Sequence, residues 1–176
     1  METQAQNTKG SDELEGKYLT FRLGREEFGV QILKVREIIA MQEITPLPTL
    51  PEAVRGVINL RGRIIPVVDL RLQLEMHAKD YDRNTCIIVQ EVEIGSEGEL
   101  LPIGCVVDAV SEVLSVSSAI IEGPPSFGGN VDVSYLLGIA KLSERSKVVS
   151  LLDIDSVLSS VASQAKDLEE EEVQAA

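Results

Sequence analysis

The feature that most restricts what this chain can become is that it nearly repeats itself. Gly29, Val30, Val35, Glu37, Ile38 and Ile39 recur, all at one constant step, as Gly104, Cys105, Val110, Glu112, Val113 and Leu114. Gly56, Val57 and Leu60 recur at a slightly longer step as Gly138, Ile139 and Leu142. Ile64, Ile65, Val67, Val68, Asp69 and Leu70 recur at a step longer again as Val148, Val149, Leu151, Leu152, Asp153 and Ile154. The growing step places the additional residues in connections, where insertions are tolerated. Self-similarity of this kind implies one structural unit built twice. A unit of roughly 60–70 residues buries too little surface to be secure alone, so the two should share an apolar seam and fold together.

The units read as β. Aromatic residues are 3% of the chain and Trp is absent, so the core falls to Val, Ile and Leu, a composition that favours strands. Residues 17–23 alternate, with Leu19, Phe21 and Leu23 on one face, and a four-residue turn from Gly24 to Glu27 leads into a second strand over 28–32. Within 33–39, Val35 and Ile39 fall at helical spacing, which predicts one or two helical turns. Pro46, Pro48 and Pro51 break the next stretch. Strands over 56–60 and 64–68 then flank Arg61, Gly62 and Arg63, with Gly62 supplying a positive φ. Pro66 cannot donate to a ladder, which predicts an edge or bulged strand.

Residues 75–84 are polar and loop-like. Strands over 85–92 and 101–107 are joined by a long Glu/Gly-rich connection, and 135–142 pairs with 147–152 as another hairpin. Ile154, Val157, Leu158 and Val161 at i, i+3, i+4 and i+7 predict one amphipathic closing helix. Asp69 and Asp153, matched in the repeat, are placed to cap the turns that follow them. The chain thus divides into a disordered lead over 1–16, a body over 17–162 and an acidic disordered tail over 163–176.

Charge narrows the function classes. The net charge is −13, of which −6 belongs to the body and the rest to the two ends. An acidic body without a basic stripe argues against phosphate backbones and anionic membrane surfaces. A small barrel that binds oligonucleotides is the alternative from another class, opposed also by the presence of only three Phe to stack on bases. No run approaches the ~20 apolar residues of a membrane span, and the first residues lack the basic start and apolar run of a signal peptide, which points to the cytoplasm. Cys86 and Cys105 sit in apolar strand-like runs and read as buried free thiols rather than a bridge. A catalytic site is not indicated: His77 is the sole histidine and lies in a polar loop, and no phosphate-binding loop, nucleophile elbow or Cys-x-x-Cys pair occurs. Neither a metal nor a cofactor is expected.

Several motifs resemble one known family. Phe28-Gly-Val-x-Ile-Leu-Lys-Val-Arg-Glu-Ile38, Arg55-Gly-Val-Ile-Asn-Leu-Arg-Gly62, Ile65-Pro-Val-Val-Asp-Leu-Arg71, Ile103-Gly-Cys-Val-Val-Asp-Ala-Val-Ser-Glu-Val-Leu114 and Tyr135-Leu-Leu-Gly138 are similar to the CheW family of bacterial chemotaxis coupling proteins. The similarity extends over roughly residues 17–160, the extent of one mid-sized domain. It implies an all-β fold of two intertwined five-stranded SH3-like barrels with a closing helix. It also implies a non-catalytic adaptor that couples the cytoplasmic tips of methyl-accepting chemoreceptors to the regulatory domain of the histidine kinase CheA, recruited to membrane-associated arrays. By the same resemblance, receptor contacts fall on Val35, Gly56, Arg61, Gly104 and Val113 in a groove between barrels, and kinase contacts on Glu37, Ile38 and Phe127 at barrel ends.

Read from the residues alone, Val35 and Val113 suit a core more than a contact. Gly56 and Gly104 serve backbone geometry first. Arg61 is a turn cation able to pair with a carboxylate, and Phe127 is either an exposed anchor or a plug folded back on its own loop.

Overall fold

The computed structural model describes residues 12–124, 133–142, 144 and 146–175. Strands β1 (Gly16–Leu23), β2 (Glu26–Gln31), β3 (Val35–Ala40), β4 (Val54–Leu60) and β5 (Arg63–Asp69) precede a short helix α1 (Leu70–Gln73). Then come β6 (Cys86–Ile94), β7 (Glu99–Val107), β8 (Ala109–Val116), β9 (Ile121–Glu122), β10 (Leu136–Leu142), β11 (Lys147–Leu152) and the closing helix α2 (Ile154–Ala175).

These strands form two sheets. Barrel 1 has the order β8-β1-β2-β11-β10-β9, and barrel 2 the order β3-β6-β7-β5-β4. The repeat explains both. β2, β3, β4 and β5 correspond to β7, β8, β10 and β11, and matched strands hold matched places. The pairing of Val67 with Gly104 and Gly56 in barrel 2 recurs as that of Leu151 with Gly29 and Gly138 in barrel 1. The two-residue β9, beside β10, corresponds to the isolated bridge between Thr45 and Val57 beside β4.

The units are exchanged rather than merely adjacent. After β2 the chain leaves barrel 1 and lays β3 on β6; after β7 it leaves barrel 2 and lays β8 on β1. Each barrel therefore joins the first hairpin of one half (β1–β2 or β6–β7) to the later strands of the other (β8–β11 or β3–β5). Crossovers of this kind bury both faces of the central strands. On β1, Leu19, Phe21 and Leu23 enter a core shared by both sheets, while Tyr18 faces a separate core inside barrel 1. On β6, Ile88 and Val92 enter the shared core, and Ile87 and Val89 fill barrel 2. The helix α2 lays Ile154, Val157, Leu158 and Val161 onto the shared core, at roughly 1.5–3 kcal/mol of transfer free energy for each fully buried side chain. This is the face that the helical spacing identified.

Several local expectations need correction. The first hairpin turns through Gly24 and Arg25 alone, since Leu23 already pairs with Glu26. Residues 33–39 are not helical beyond a single 3-10 turn over Ile32–Lys34. From Val35 the burial alternates with period two, because pairing with β6 lets β-branched side chains pack on a pleat.

β5 is not an edge strand. Pro66 is tolerated there because its partner Val57 turns both backbone groups toward Thr45, so this pair exchanges no bonds. The missing Pro66 donor then faces β7, whose ladder begins only at Val67. The connection over 93–100 is mostly hairpin, with Glu93 pairing Leu100 and Ile94 pairing Glu99. The acidic segment expected as a disordered tail continues α2 as far as Ala175, which accords with the helix propensity of its Glu, Ala and Gln residues. At the other end the lead is attached at Leu14, which packs on the barrel 1 core and whose carbonyl accepts a bond from the Tyr18 hydroxyl at 2.7 Å.

Asp69 and Asp153 cap as expected. Asp69 accepts from the Arg71 amide at 3.0 Å, and Asp153 accepts from the Ser156 amide and hydroxyl at 3.3 and 2.9 Å. Both cysteines are free, Cys105 buried and Cys86 half-buried.

Candidate functional site

The residues singled out from the sequence sort into three environments. Glu37, Val89, Gly104, Val67 and Gly56 stand in register across barrel 2, one from each strand. Side chains in such a row share a face, here the barrel interior. Gly56 and Gly104 are buried in that row. At Gly56 φ is +140°, and a Cβ would lie 2.0 Å from the Thr45 carbonyl oxygen. At Gly104 a Cβ would lie 2.8 Å from Cγ2 of Ile87. Neither glycine offers a side-chain contact; each lets neighbouring backbone or core approach.

Glu37 occupies the open end of the row, and Arg61 reaches it. Arg61 and Gly62 form the β4–β5 turn, both with positive φ, at 51° and 86°. The Asn59 side-chain oxygen accepts the Gly62 amide at 2.8 Å, and the Arg61 guanidinium donates to the Glu37 carboxylate. Residues assigned to different partners by resemblance are thus joined in one ion pair across the barrel seam. Arg61 remains largely exposed, so the pair is worth little to stability, about 0.2–1 kcal/mol.

Ile38 and Val113 occupy matched positions on the edge strands β3 and β8, 46% and 53% exposed. Ile64 and Val148 form a second matched pair, each about half exposed. Large apolar side chains left in water at equivalent places on both barrels mark surfaces suited to protein contact. Val113 therefore lies on the barrel 1 edge, apart from Val35, which packs against the shared core. Phe127 lies outside the described residues.

Sequence reasoning missed Leu33. It sits on the 3-10 turn that touches both β1 and β6, where the barrels join, and it is 93% exposed. The signal was present as a leucine between Ile32 and Lys34, but the helical reading of 33–39 concealed which side it faced.

Behind this junction Val35 pairs with Gln90. Gln90 is fully buried, and neither its amide nitrogen nor its oxygen has a hydrogen-bond partner. It lies near Cys105, whose thiol burial pushes up to about 12 while the Gln90 amide pulls the other way. The contact lacks hydrogen-bond geometry, so the amide counts as unsatisfied.

Among the described residues no group of three His, Cys, Asp or Glu is gathered to hold a metal. His77 is an exposed loop residue whose carbonyl accepts from Arg71 at 3.1 Å.

The model of the CheW-like domain matches residues 17–162. The chain belongs to the CheW family. It is 40% identical over 144 residues to the chemotaxis protein CheW of Klebsiella aerogenes, covering 82% of each chain. It is 37% identical over 153 residues to that of Rhizobium meliloti, covering 87% of this chain and 91% of the other. Among solved structures, the scaffolding protein TtCheW of Thermoanaerobacter tengcongensis superposes with a TM-score of 0.70 at 32% identity, over 82% of this chain and 92% of that one. As a member of the CheW family, the chain is a chemotaxis scaffold rather than an enzyme. Among the described residues no helix is long and apolar enough to cross a membrane.

Proposed function

We propose that this chain couples the cytoplasmic tips of chemoreceptors to the histidine kinase CheA, and that it is held in membrane-associated arrays through those contacts rather than by a membrane segment. The observation that carries the reading is the placement of exposed apolar side chains on a fold whose described residues gather their other apolar side chains into buried clusters. Leu33 stands at the junction of the barrels, and Ile38 and Val113 stand at matched points on their outer edges. A receptor helix docks at the junction, against Leu33 and Val35. The regulatory domain of the kinase docks on the barrel 2 edge, against Ile38 and the Glu37–Arg61 pair, with Val113 serving the equivalent edge of barrel 1 and Phe127 a further kinase contact. Gly56 and Gly104 support these surfaces through backbone geometry and touch no partner themselves.

The test is paired capture by a receptor-tip fragment and by the CheA regulatory domain. Leu33→Asp should lose the receptor fragment and keep the kinase domain, while Ile38→Asp should do the reverse. Both are exposed and should unfold within about 0.5 kcal/mol of wild type. Retention of both partners by both variants would overturn the assignment.

A further inference from the structure

The two places where the chain crosses between barrels are each fastened by an ion pair, and the two fastenings are related by the internal repeat with their charges exchanged. At the first, Asp108 lies between β7 of barrel 2 and β8 of barrel 1. Its carboxylate accepts Nε of Arg71 at 2.7 Å and a second bond from the same guanidinium. It also accepts the backbone amide of Gly24, in the β1–β2 turn, at 2.7 Å. Its own amide donates to the Arg22 carbonyl at 3.1 Å. Arg71 belongs to α1, which directly follows β5 of barrel 2. One carboxylate thus ties a barrel 1 hairpin to a barrel 2 helix.

At the second, Asp155 lies in the first turn of α2, which follows β11 of barrel 1. Its carboxylate accepts Nζ of Lys34 at 2.7 Å and the backbone amide of Glu93 at 2.9 Å. Lys34 belongs to the crossover from β2 to β3, and Glu93 to β6 of barrel 2.

The correspondence holds at the helices and at the amide donors, whereas Lys34 and Asp108 share equivalent crossovers but stand one place apart, since the step that matches β3 with β8 carries Lys34 onto Ala109. The step that matches β5 with β11 carries Arg71 onto Asp155. The pairing of Thr20 with Gly29 recurs as that of Val89 with Gly104. Strand β1 therefore maps onto β6, and the step that takes Thr20 to Val89 takes Gly24 to Glu93. In both fastenings the same backbone amide donates to an aspartate. At one the carboxylate comes from the crossover and the cation from the helix; at the other these roles are reversed. Between them the helices meet at Gln73 and Val157, matched by the same step as Arg71 and Asp155, with the Gln73 amide donating to the Val157 carbonyl at 2.8 Å. A contact between equivalent positions lies on the pseudo-twofold axis, and the two ion pairs flank it.

We propose that Arg71–Asp108 and Lys34–Asp155 are positioning pairs that set the angle between the barrels, and with it the shape of the junction around Leu33 and Val35. Each clamps one crossover to groups from both sheets, so the barrels cannot rotate about their shared apolar core without breaking one of them. Apolar contact is non-directional and leaves such a rotation soft; paired, charge-assisted hydrogen bonds fix it. The first pair carries more of the constraint. Its side chains are 13% and 14% exposed, against 26% and 29% in the second, and its Arg is bidentate.

The effect on partners rests on the receptor reading given above, whereas the effect on geometry does not. Residual dipolar couplings of the backbone amides, together with receptor affinity, separate the two. In wild type, couplings from the two sheets fit one alignment tensor. In Arg71→Gln, and in the double variant Arg71→Gln with Lys34→Gln, each sheet should still fit by itself while the two demand different orientations. Arg71→Lys, which keeps one charged bond to Asp108, should restore most of the common fit. Affinity for the receptor-tip fragment should fall roughly 2- to 30-fold, with the kinase domain at the outer edge less affected. Should Arg71→Gln fail to fold, the more exposed pair supplies the same test through Lys34→Gln and Asp155→Asn. Couplings that still fit a single wild-type arrangement in every folded variant overturn the proposal, whatever happens to binding. A changed orientation with unchanged receptor affinity upholds the positioning pairs and overturns the junction as the receptor site.

Discussion

Replacing Gly56 by alanine puts a methyl carbon where the backbone of the neighbouring segment already stands. The new Cβ would lie 2.0 Å from the Thr45 carbonyl oxygen, 2.7 Å from its carbon and 2.9 Å from Cα of Pro46. All three are backbone atoms, so no side chain can swing aside. The segment must move as a whole, and with it go the two bonds between Thr45 and Val57, each 2.9 Å long. Holding alanine at a φ of +140° costs about 1–3 kcal/mol. Displacing the packed segment costs about 1–3 kcal/mol more, and the two backbone bonds contribute about 0.5–1.5 kcal/mol each. These contributions overlap, and a loss of roughly 3–6 kcal/mol is expected, much of the ~5–15 kcal/mol that holds an ordinary domain folded. Urea denaturation followed by circular dichroism measures it. Gly104→Ala is the comparison: its obstacle is one Ile87 methyl at 2.8 Å and its φ is ordinary, so about 1–3 kcal/mol is expected. A Gly56→Ala protein that unfolds within about 1 kcal/mol of wild type, or later than Gly104→Ala, would refute the close-approach argument. Partner-binding defects at these two glycines would then need a direct contact to explain them.

Three further outcomes are expected. Gln90→Met removes a buried amide that has no partner, so it should stabilise the fold by about 1–2 kcal/mol; a lower denaturation midpoint would mean that the amide is satisfied after all. Burial pushes the Cys105 thiol, and burial together with its bond to Asp69 pushes the Tyr81 hydroxyl, up to about 12 from ordinary values of 9.0 and 10.0. Both stay neutral in the native state where the unfolded chain would ionise them, so their contribution is whole below about pH 9 and is lost as pH climbs toward 12; a urea midpoint that stays level between pH 8.5 and about pH 11 would contradict this. On the acid side, burial would raise the Asp108 carboxyl, but Arg71 and the Gly24 amide hold it below the ordinary 3.8. Its stabilisation is present above that value and fades as pH falls through the lowered one, so Asp108→Asn should show a shallower loss of stability below about pH 4 than wild type. A parallel acid limb in the two proteins would argue against that coupling.

What the sequence determined by itself is whatever depends on neighbours along the chain. Alternation put Leu19, Phe21 and Leu23 on one face, helical spacing identified the buried side of α2, and the aspartates at 69 and 153 marked caps for the turns that follow them. The repeat, with its lengthening steps, carried the pairing of equivalent strands in both barrels. Only the tertiary structure decided where β3 and β8 went. A period of two says that a strand has an inner and an outer face, but not which distant strand it will join, and the intertwining of the two halves is a choice among non-local pairings.

The same limit hid the functional surface. Whether Leu33 faces water, whether Val113 stands beside Val35 or on the opposite barrel, and whether Arg61 meets Glu37 or solvent depend on how the two sheets lie against each other. The Arg71–Asp108 and Lys34–Asp155 pairs could not be read from the repeat in advance, because Arg71 is matched with an acid, Asp155, while Lys34 and Asp108 are matched with the uncharged Ala109 and Leu33. Short-range patterning fixes strands, turns and caps through local sterics and hydrogen bonding; the contacts that orient one barrel on the other join residues 37 and 121 positions apart and exist only once both crossovers are closed.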